Sequence, residues 1–207
     1  SKKVGNDFVV KIFDAITPKM AKTVMLGNGL RWKYPWEGKE TDLATGLIKS
    51  AYQTANPNSR IACAMSHWLL WHECKKTDEP ILVLEHDAVF TEKLDWKLIL
   101  DSKYDIIGIN SPAAATRRAH QFHDMVQAGE SWIQPVPSVD EFNVPQGLAG
   151  NSAYIIKPAG AKNLLDAASE HGLWPNDALM CKQLIPNLGV TKTYFTRVQG
   201  LPSTTVN

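Results

Sequence analysis

The chain has 207 residues, 44% of them hydrophobic, enough to bury a substantial core in one domain spanning 1–207 and too apolar for a disordered segment. Lys and Arg number 22 against 21 Asp and Glu, so no charge imbalance makes nucleic acid or an anionic membrane an obligatory partner. Cys63, Cys74 and Cys181 form no C-x-x-C pair and no apolar run reaches the roughly 20 residues of a membrane span, which argues against a disulfide framework, a zinc knuckle and a spanning helix. The opening SKKVGNDF carries no apolar signal segment, and the expected compartment is the reducing cytoplasm.

In chain order, FVVKIF (8–13) is apolar and β-branched and predicts a strand that DAITP ends. RWKYPWEGKE (31–40) reads as an irregular excursion anchored by aromatic rings. TDLATGLIKSAY (41–52) places Leu43, Leu47, Ile48 and Ala51 at helical spacing behind an N-cap Thr41, and a helix is expected, closed by NPNS. RIACAMSHWLLWHECKK carries Ile61, Met65, Trp68, Leu69 and His72 in one stripe and Cys63, Leu70 and Cys74 elsewhere, so this helix should be buried over most of its circumference. After the turn TDEP, ILVL (81–84) is too uniformly apolar to have a wet face, and YDIIGI (104–109) is a second strand of that kind beyond the short amphipathic KLDWKLIL. Strand, helix and strand at this spacing predict an α/β domain with a mostly parallel central sheet flanked by helices.

Farther on, AAATRRAHQFHDMVQAGES shows no clear period, collects Arg117, Arg118, His120 and His123, and reads as a flexible loop. LAGNSAYII (148–156) returns to strand character. KPAGAKNLLDAASEHG predicts a helix from Pro158 to Gly172 with its stripe on Ala161, Leu164, Leu165 and Ala168. WPNDALMCKQL suggests a short helix, VTKTYFTRV a last strand and QGLPSTTVN a polar tail.

ILVLEHDAVF raises the functional question, because a buried strand there delivers Glu85, His86 and Asp87 to its end. Ligands of open α/β sheets bind at carboxyl ends of strands, and carboxylates there can hold a divalent cation that bridges phosphate oxygens. A strand end that merely meets water also gathers charge. Strand alternation places Glu85 and Asp87 on one side and His86 on the other.

The segments IACAMSHWLLW, ILVLEHDAVF, GLAGNSAYIIKPAGAKNLL and PNDALM resemble, in order and spacing, the motif series of glycosyltransferase family 25, the lipooligosaccharide and collagen galactosyltransferase type. KIFDAITP resembles the piece that follows the first helix of that family, and the resemblance spans roughly residues 8 to 182. It implies a GT-A-like domain, a nucleotide-sugar donor such as a UDP-hexose, Mn²⁺ or Mg²⁺ held by Asp87 and Glu85, and transfer to an acceptor hydroxyl with inversion. It also implies Asp177 as catalytic base and Glu85, His86, Asn151 and Ser152 as donor-binding residues. Two departures stand out. The family's Glu-Asp-Asp has His86 in the middle here, and few residues precede KIFDAITP where the family has a strand and a helix, so the chain is either cut at its N-terminus or begins in a shortened form; a cut chain is expected to expose an apolar face near FVVKIF.

Other readings of the same residues stay open. Asp177, after Pro175 and Asn176, suits a plain helix start. His67 reads as a core histidine or, second to that, a donor contact, Tyr154 as a site-lining or packing residue, and Arg117 with Arg118 as a diphosphate grip or a solvated pair. Beside the transferase stand a catalytically inactive nucleotide- or sugar-binding module and a metal-dependent hydrolase, the last without the second ligand cluster of a two-metal centre. The acceptor could be a glycan, a protein hydroxyl or, on the weak basis of TRRAHQFH, a nucleobase.

Overall fold

The computed structural model describes residues 2–115, 118–140, 143–144 and 147–200. A short helix α1 (Ala21–Gly27) leads to a hairpin of β1 (Lys39–Thr41) and β2 (Ile48–Ser50) and then to the long helix α2 (Pro57–Thr77). There follow β3 (Ile81–Leu84), β4 (Ala88–Phe90), α3 (Trp96–Leu100), β5 (Ile106–Gly108), α4 (Ala119–Ala128), β6 (Ile133–Pro135) and β7 (Asn143–Val144). The chain continues through β8 (Ala153–Ile156), α5 (Pro158–His171), α6 (Asn176–Leu179), β9 (Leu188–Thr191) and β10 (Thr196–Val198).

The central sheet runs β3-β8-β5-β9-β6. Of its four pairings only β5 with β9 is parallel, so the α/β class holds but the expectation of a mostly parallel sheet does not. Strand β8 inserts between β3 and β5 antiparallel to both, so those two strands point the same way without touching. Uniform apolar runs report burial on two faces and carry no information about direction. That burial is real in the middle of the sheet: Tyr154, Ile156, Ile106, Leu188 and Val190 join the core under α2 and α5, while Ala153, Ile155, Ile107 and Ile109 join a second core with Ile99 of α3 and Phe195. Each fully buried Ile contributes about 1.5–3 kcal/mol.

Helix α2 forms as its sequence predicts. Asn56 caps it by accepting from the Asn58 N–H at 3.0 Å, Pro57 sits in its first turn, and it ends at Asp78 in the left-handed region. Buried residues lie around most of it, from Ile61 and Met65 to Trp71 and Cys74, because it packs against both the sheet and α5.

Four segments depart from the sequence expectations. FVVKIF forms no strand; Val9, Val10 and Ile12 are exposed, since β-branched residues hold an extended ladder only beside a partner strand, and none of the described strands pairs with them. TDLATGLIKSAY is not a helix but the β1–β2 hairpin, because the Asp42 carboxylate accepts from the N–H groups of Ala44 and Thr45 and Gly46 takes a φ of +73°. Its Lys49 is buried, pairing with Asp42 at 2.9 Å and Glu40 at 3.2 Å and donating to the Lys33 carbonyl at 2.7 Å. Residues 119–128 of the expected loop 113–131 form α4, held by Phe122 and Val126 one turn apart in the core, and Arg117 lies outside the described residues. VTKTYFTRV bends between two strands in different sheets, with β10 pairing antiparallel to β4.

The start of α5 sits against β5 so closely that a Cβ on Gly160 would meet the Asp105 carbonyl oxygen and Ile106 Cγ1, both at 2.7 Å. Alanine would gain up to about 1 kcal/mol of helix propensity and cost about 1–3 kcal/mol of overpacking against backbone that cannot rotate away. Gly160→Ala is therefore expected to lower stability by about 1–2 kcal/mol in urea denaturation; a variant more stable than the parent would mean that the helix shifts freely on the sheet.

Candidate active site

The Glu85-His86-Asp87 triplet does not extend β3. Pairing with β8 ends at Leu84 opposite Ala153, the Glu85 N–H donates to the Ser152 carbonyl at 2.8 Å, and the chain then turns, with the Ala88 N–H reaching the Glu85 carbonyl at 3.1 Å. A turn rather than strand alternation therefore sets the three side chains: His86 is exposed, Glu85 points toward α2, and Asp87 is half-buried.

Helix α2 brings His67 and Trp71, one turn apart, over this turn. The Trp71 indole N–H donates to the Tyr154 hydroxyl at 3.0 Å, that hydroxyl lies 2.8 Å from His67 Nδ1, and His67 Nε2 lies 3.2 Å from Glu85 Oε1. Ser152 Oγ donates to the other Glu85 oxygen at 3.2 Å. Burial opposes charge on His67, yet Tyr154, Cys63 and Glu85 outweigh it and hold the imidazole well above its ordinary pKa. Burial likewise pushes Glu85 up, and His67 and Ser152 more than reverse this, leaving it below the usual carboxylate value. Both shifts describe a charged pair. His67 is thus a buried histidine that positions Glu85, and Tyr154 is fully buried behind it rather than facing the cleft.

Asp87 offers a different kind of group. Its Oδ1 is buried with no hydrogen-bond partner among the described residues, while its carbonyl accepts from the Gln199 N–H at 2.9 Å. Buried Asn151 is similar: Nδ2 meets Met180 Sδ at 3.5 Å, and Oδ1 is unpartnered. Such acceptors cost free energy unless a ligand supplies the missing partner.

Asp177 arrives from the far end of the sequence on α6, and the Tyr52 hydroxyl donates to its Oδ2 at 2.8 Å. The guanidinium of Arg60 stacks 4.6 Å from the centre of the Tyr52 ring and donates from Nε to Thr54 Oγ1 at 2.9 Å. Burial raises the Asp177 pKa above the carboxylate norm; Tyr52 and Arg60 pull it down, and Glu85 adds to the rise. Next to it, Asn176 Oδ1 lies 3.6 Å from Cys63 Sγ.

Glu85, His86, Asp87, Asn151, Ser152 and Asp177 all line one cleft of about 1690 Å³, as do Tyr52, Arg60 and Cys63. The sequence reading missed the last three. Tyr52 closed a segment read as a helix, and its partner lies 125 residues away, so no local signal marked it. Arg118 also reaches the cleft, but its guanidinium donates to the Val139 carbonyl at 2.9 Å and lies 3.6 Å from Asp140.

Carboxylates from a strand-end turn and from a distant helix, gathered on one wide cleft beside a mixed sheet, define an α/β enzyme with its site at the strand ends. The profile of glycosyltransferase family 25 (LPS biosynthesis protein) matches residues 2–180, and the chain belongs to that family; it is a glycosyltransferase. No curated protein matches the chain. Among the described residues no helix is long and apolar enough to cross a membrane.

Proposed function

We propose that the enzyme moves a hexose from a UDP-type nucleotide sugar to an acceptor hydroxyl on a glycan or protein, with inversion, in a GT-A-like arrangement. The observation that carries this reading is the placement of Asp177, buried and hydrogen-bonded to Tyr52, on the same cleft as the orphaned carboxylate of Asp87. Inversion requires a base on the acceptor side, and a carboxylate whose pKa burial has raised is a better proton acceptor than a solvated one. Asp177 would take the hydroxyl proton on Oδ1 or Oδ2 while Tyr52 holds the group in place. His86, Asn151 and Ser152 would orient the donor, Asn151 through its unpartnered Oδ1.

Mn²⁺, or Mg²⁺ in its place, would supply positive charge against the departing diphosphate when bound. Asp87 fits that role, because a buried oxygen without a partner is what a hard cation satisfies. Glu85 joins the ligand set only by leaving His67, to which Oε1 is now paired.

Asp87→Asn is expected to weaken Mn²⁺-dependent UDP binding tenfold or more, about 1.4 kcal/mol. Calorimetric titration of UDP with and without Mn²⁺ measures this, and equal affinity in parent and variant would remove Asp87 from the metal.

A further inference from the structure

Cys63 lines the cleft, and the transferase reading gives it no task. It stands one turn before His67 on α2, on the side that meets Glu85, and its sulfur, the imidazole nitrogen and a Glu85 oxygen all lie within 4.8 Å of one another. We propose that Cys63 Sγ, His67 Nε2 and Glu85 Oε1 form a second divalent-metal site, suited to Zn²⁺ and separate from the hard-cation position at Asp87.

The donor set selects the ion. One thiolate, one imidazole and one carboxylate match the mixed ligands of zinc, whereas Mn²⁺ and Mg²⁺ favour oxygen alone. The spacing agrees: two ligands on a tetrahedral zinc with bonds of about 2.0–2.1 Å stand about 3.3 Å apart, and His67 Nε2 to Glu85 Oε1 is 3.2 Å. The sulfur, already within 4.8 Å of both other ligand atoms, has to close to the about 3.6 Å that a tetrahedral Zn–S bond implies.

The outer contacts support the same assignment. Metal-bound histidines hold their other ring nitrogen in a hydrogen bond, and ligating carboxylates are themselves bonded. His67 Nδ1 lies 2.8 Å from the Tyr154 hydroxyl, which Trp71 holds in turn, and the free Glu85 oxygen accepts from Ser152. Three protein ligands leave a fourth position. All three line the cleft, and Asn176 Oδ1 lies 3.6 Å from the sulfur.

A metal-free ion pair between His67 and Glu85 accounts for two of the three groups and leaves the sulfur outside the pair, beside His67 and donating to the Asn176 amide oxygen at 3.6 Å. Bound zinc uses all three and holds Glu85 Oε1 at His67. The assignment stands on these residues alone and does not depend on the proposed donor, acceptor or base.

Cobalt reports it directly. Titrating Co²⁺ into the chelator-treated full chain is expected to produce a thiolate-to-cobalt charge-transfer band saturating at one ion per chain, which one equivalent of Zn²⁺ abolishes. Cys63→Ser should lose the band and weaken Zn²⁺ binding at least tenfold, while Asp87→Asn should keep both. Absence of the band in the parent, its persistence in Cys63→Ser, or its loss in Asp87→Asn would overturn the proposal. Should Cys63→Ser fail to fold, zinc X-ray absorption on the parent still decides: one sulfur with nitrogen and oxygen donors supports the site, and no sulfur or more than one refutes it.

Discussion

Asp177→Asn is expected to lower transfer by about 10² to 10⁴, or about 2.7–5.5 kcal/mol of transition-state stabilisation, while leaving UDP binding as in the parent. The amide keeps the shape and can still accept from Tyr52, so what disappears is the capacity to take a proton. The competing account makes Asp177 a helix-start carboxylate, whose loss would cost about 0.5–1 kcal/mol of stability and spare turnover. Geometry argues against that account: α6 has four residues, Pro175 occupies its cap, and Asp177 Oδ1 reaches only the N–H of the next residue, at 3.1 Å. Burial also raises the Asp177 pKa. A carboxyl with a raised folded pKa stabilises below its unfolded value and loses that contribution as pH climbs through the folded value. At neutral pH the charged form is therefore a burden, and the neutral amide should melt at or above the parent temperature. Turnover per folded molecule, measured beside a melting curve, decides the matter; near-parental turnover with a lowered melting temperature would show Asp177 to be only a structural carboxylate.

Trp71→Ala is expected to cost about 3–5 kcal/mol, the usual range for deleting a large buried aromatic. For a chain of this size that is a fall of ~6–20 °C in melting temperature. The ring is fully buried between α2 and the sheet, and its indole N–H holds the Tyr154 hydroxyl that stands against His67. Volume and hydrogen bond separate experimentally. Trp71→Phe keeps most of the ring and removes the N–H, so it should lose less, with about 0.5–1.5 kcal/mol of that loss coming from the hydrogen bond. Urea denaturation of the three proteins checks the order. A loss below about 1 kcal/mol for Trp71→Ala would mean that α2 collapses onto the sheet and that the line from Trp71 to Glu85 does not rest on this ring.

Several elements were legible from local pattern because their determinants are local. Helix α2 has a cap, a first-turn proline and apolar residues on most sides; α5 has Pro158 at its start and Gly172 beyond its end. The runs IIG and AYII form fully buried strands inside the sheet, where β-branched residues with apolar neighbours fit, whereas ILVL forms its edge strand, partly buried with Leu84 exposed. Glu85, Asp87, Asn151, Ser152 and Asp177, singled out by the resemblance of the ordered motifs to family 25, all line one cleft.

What tertiary structure alone decided are the relations between distant segments. Strand direction depends on where β8 inserts, which no apolar run records. FVVKIF stays unpaired because strand formation needs a neighbour, not only a sequence, and TDLATGLIKSAY becomes a hairpin because the Asp42 side chain, Gly46 and the buried Lys49 outweigh a weak helical period. The partners of the site follow the same rule: Tyr52 meets Asp177 across 125 residues, and Cys63, His67 and Glu85 meet only where α2 crosses the turn after β3. Residue type is written in the sequence by itself, whereas proximity arises only when burial of the two apolar faces of the sheet brings those segments together.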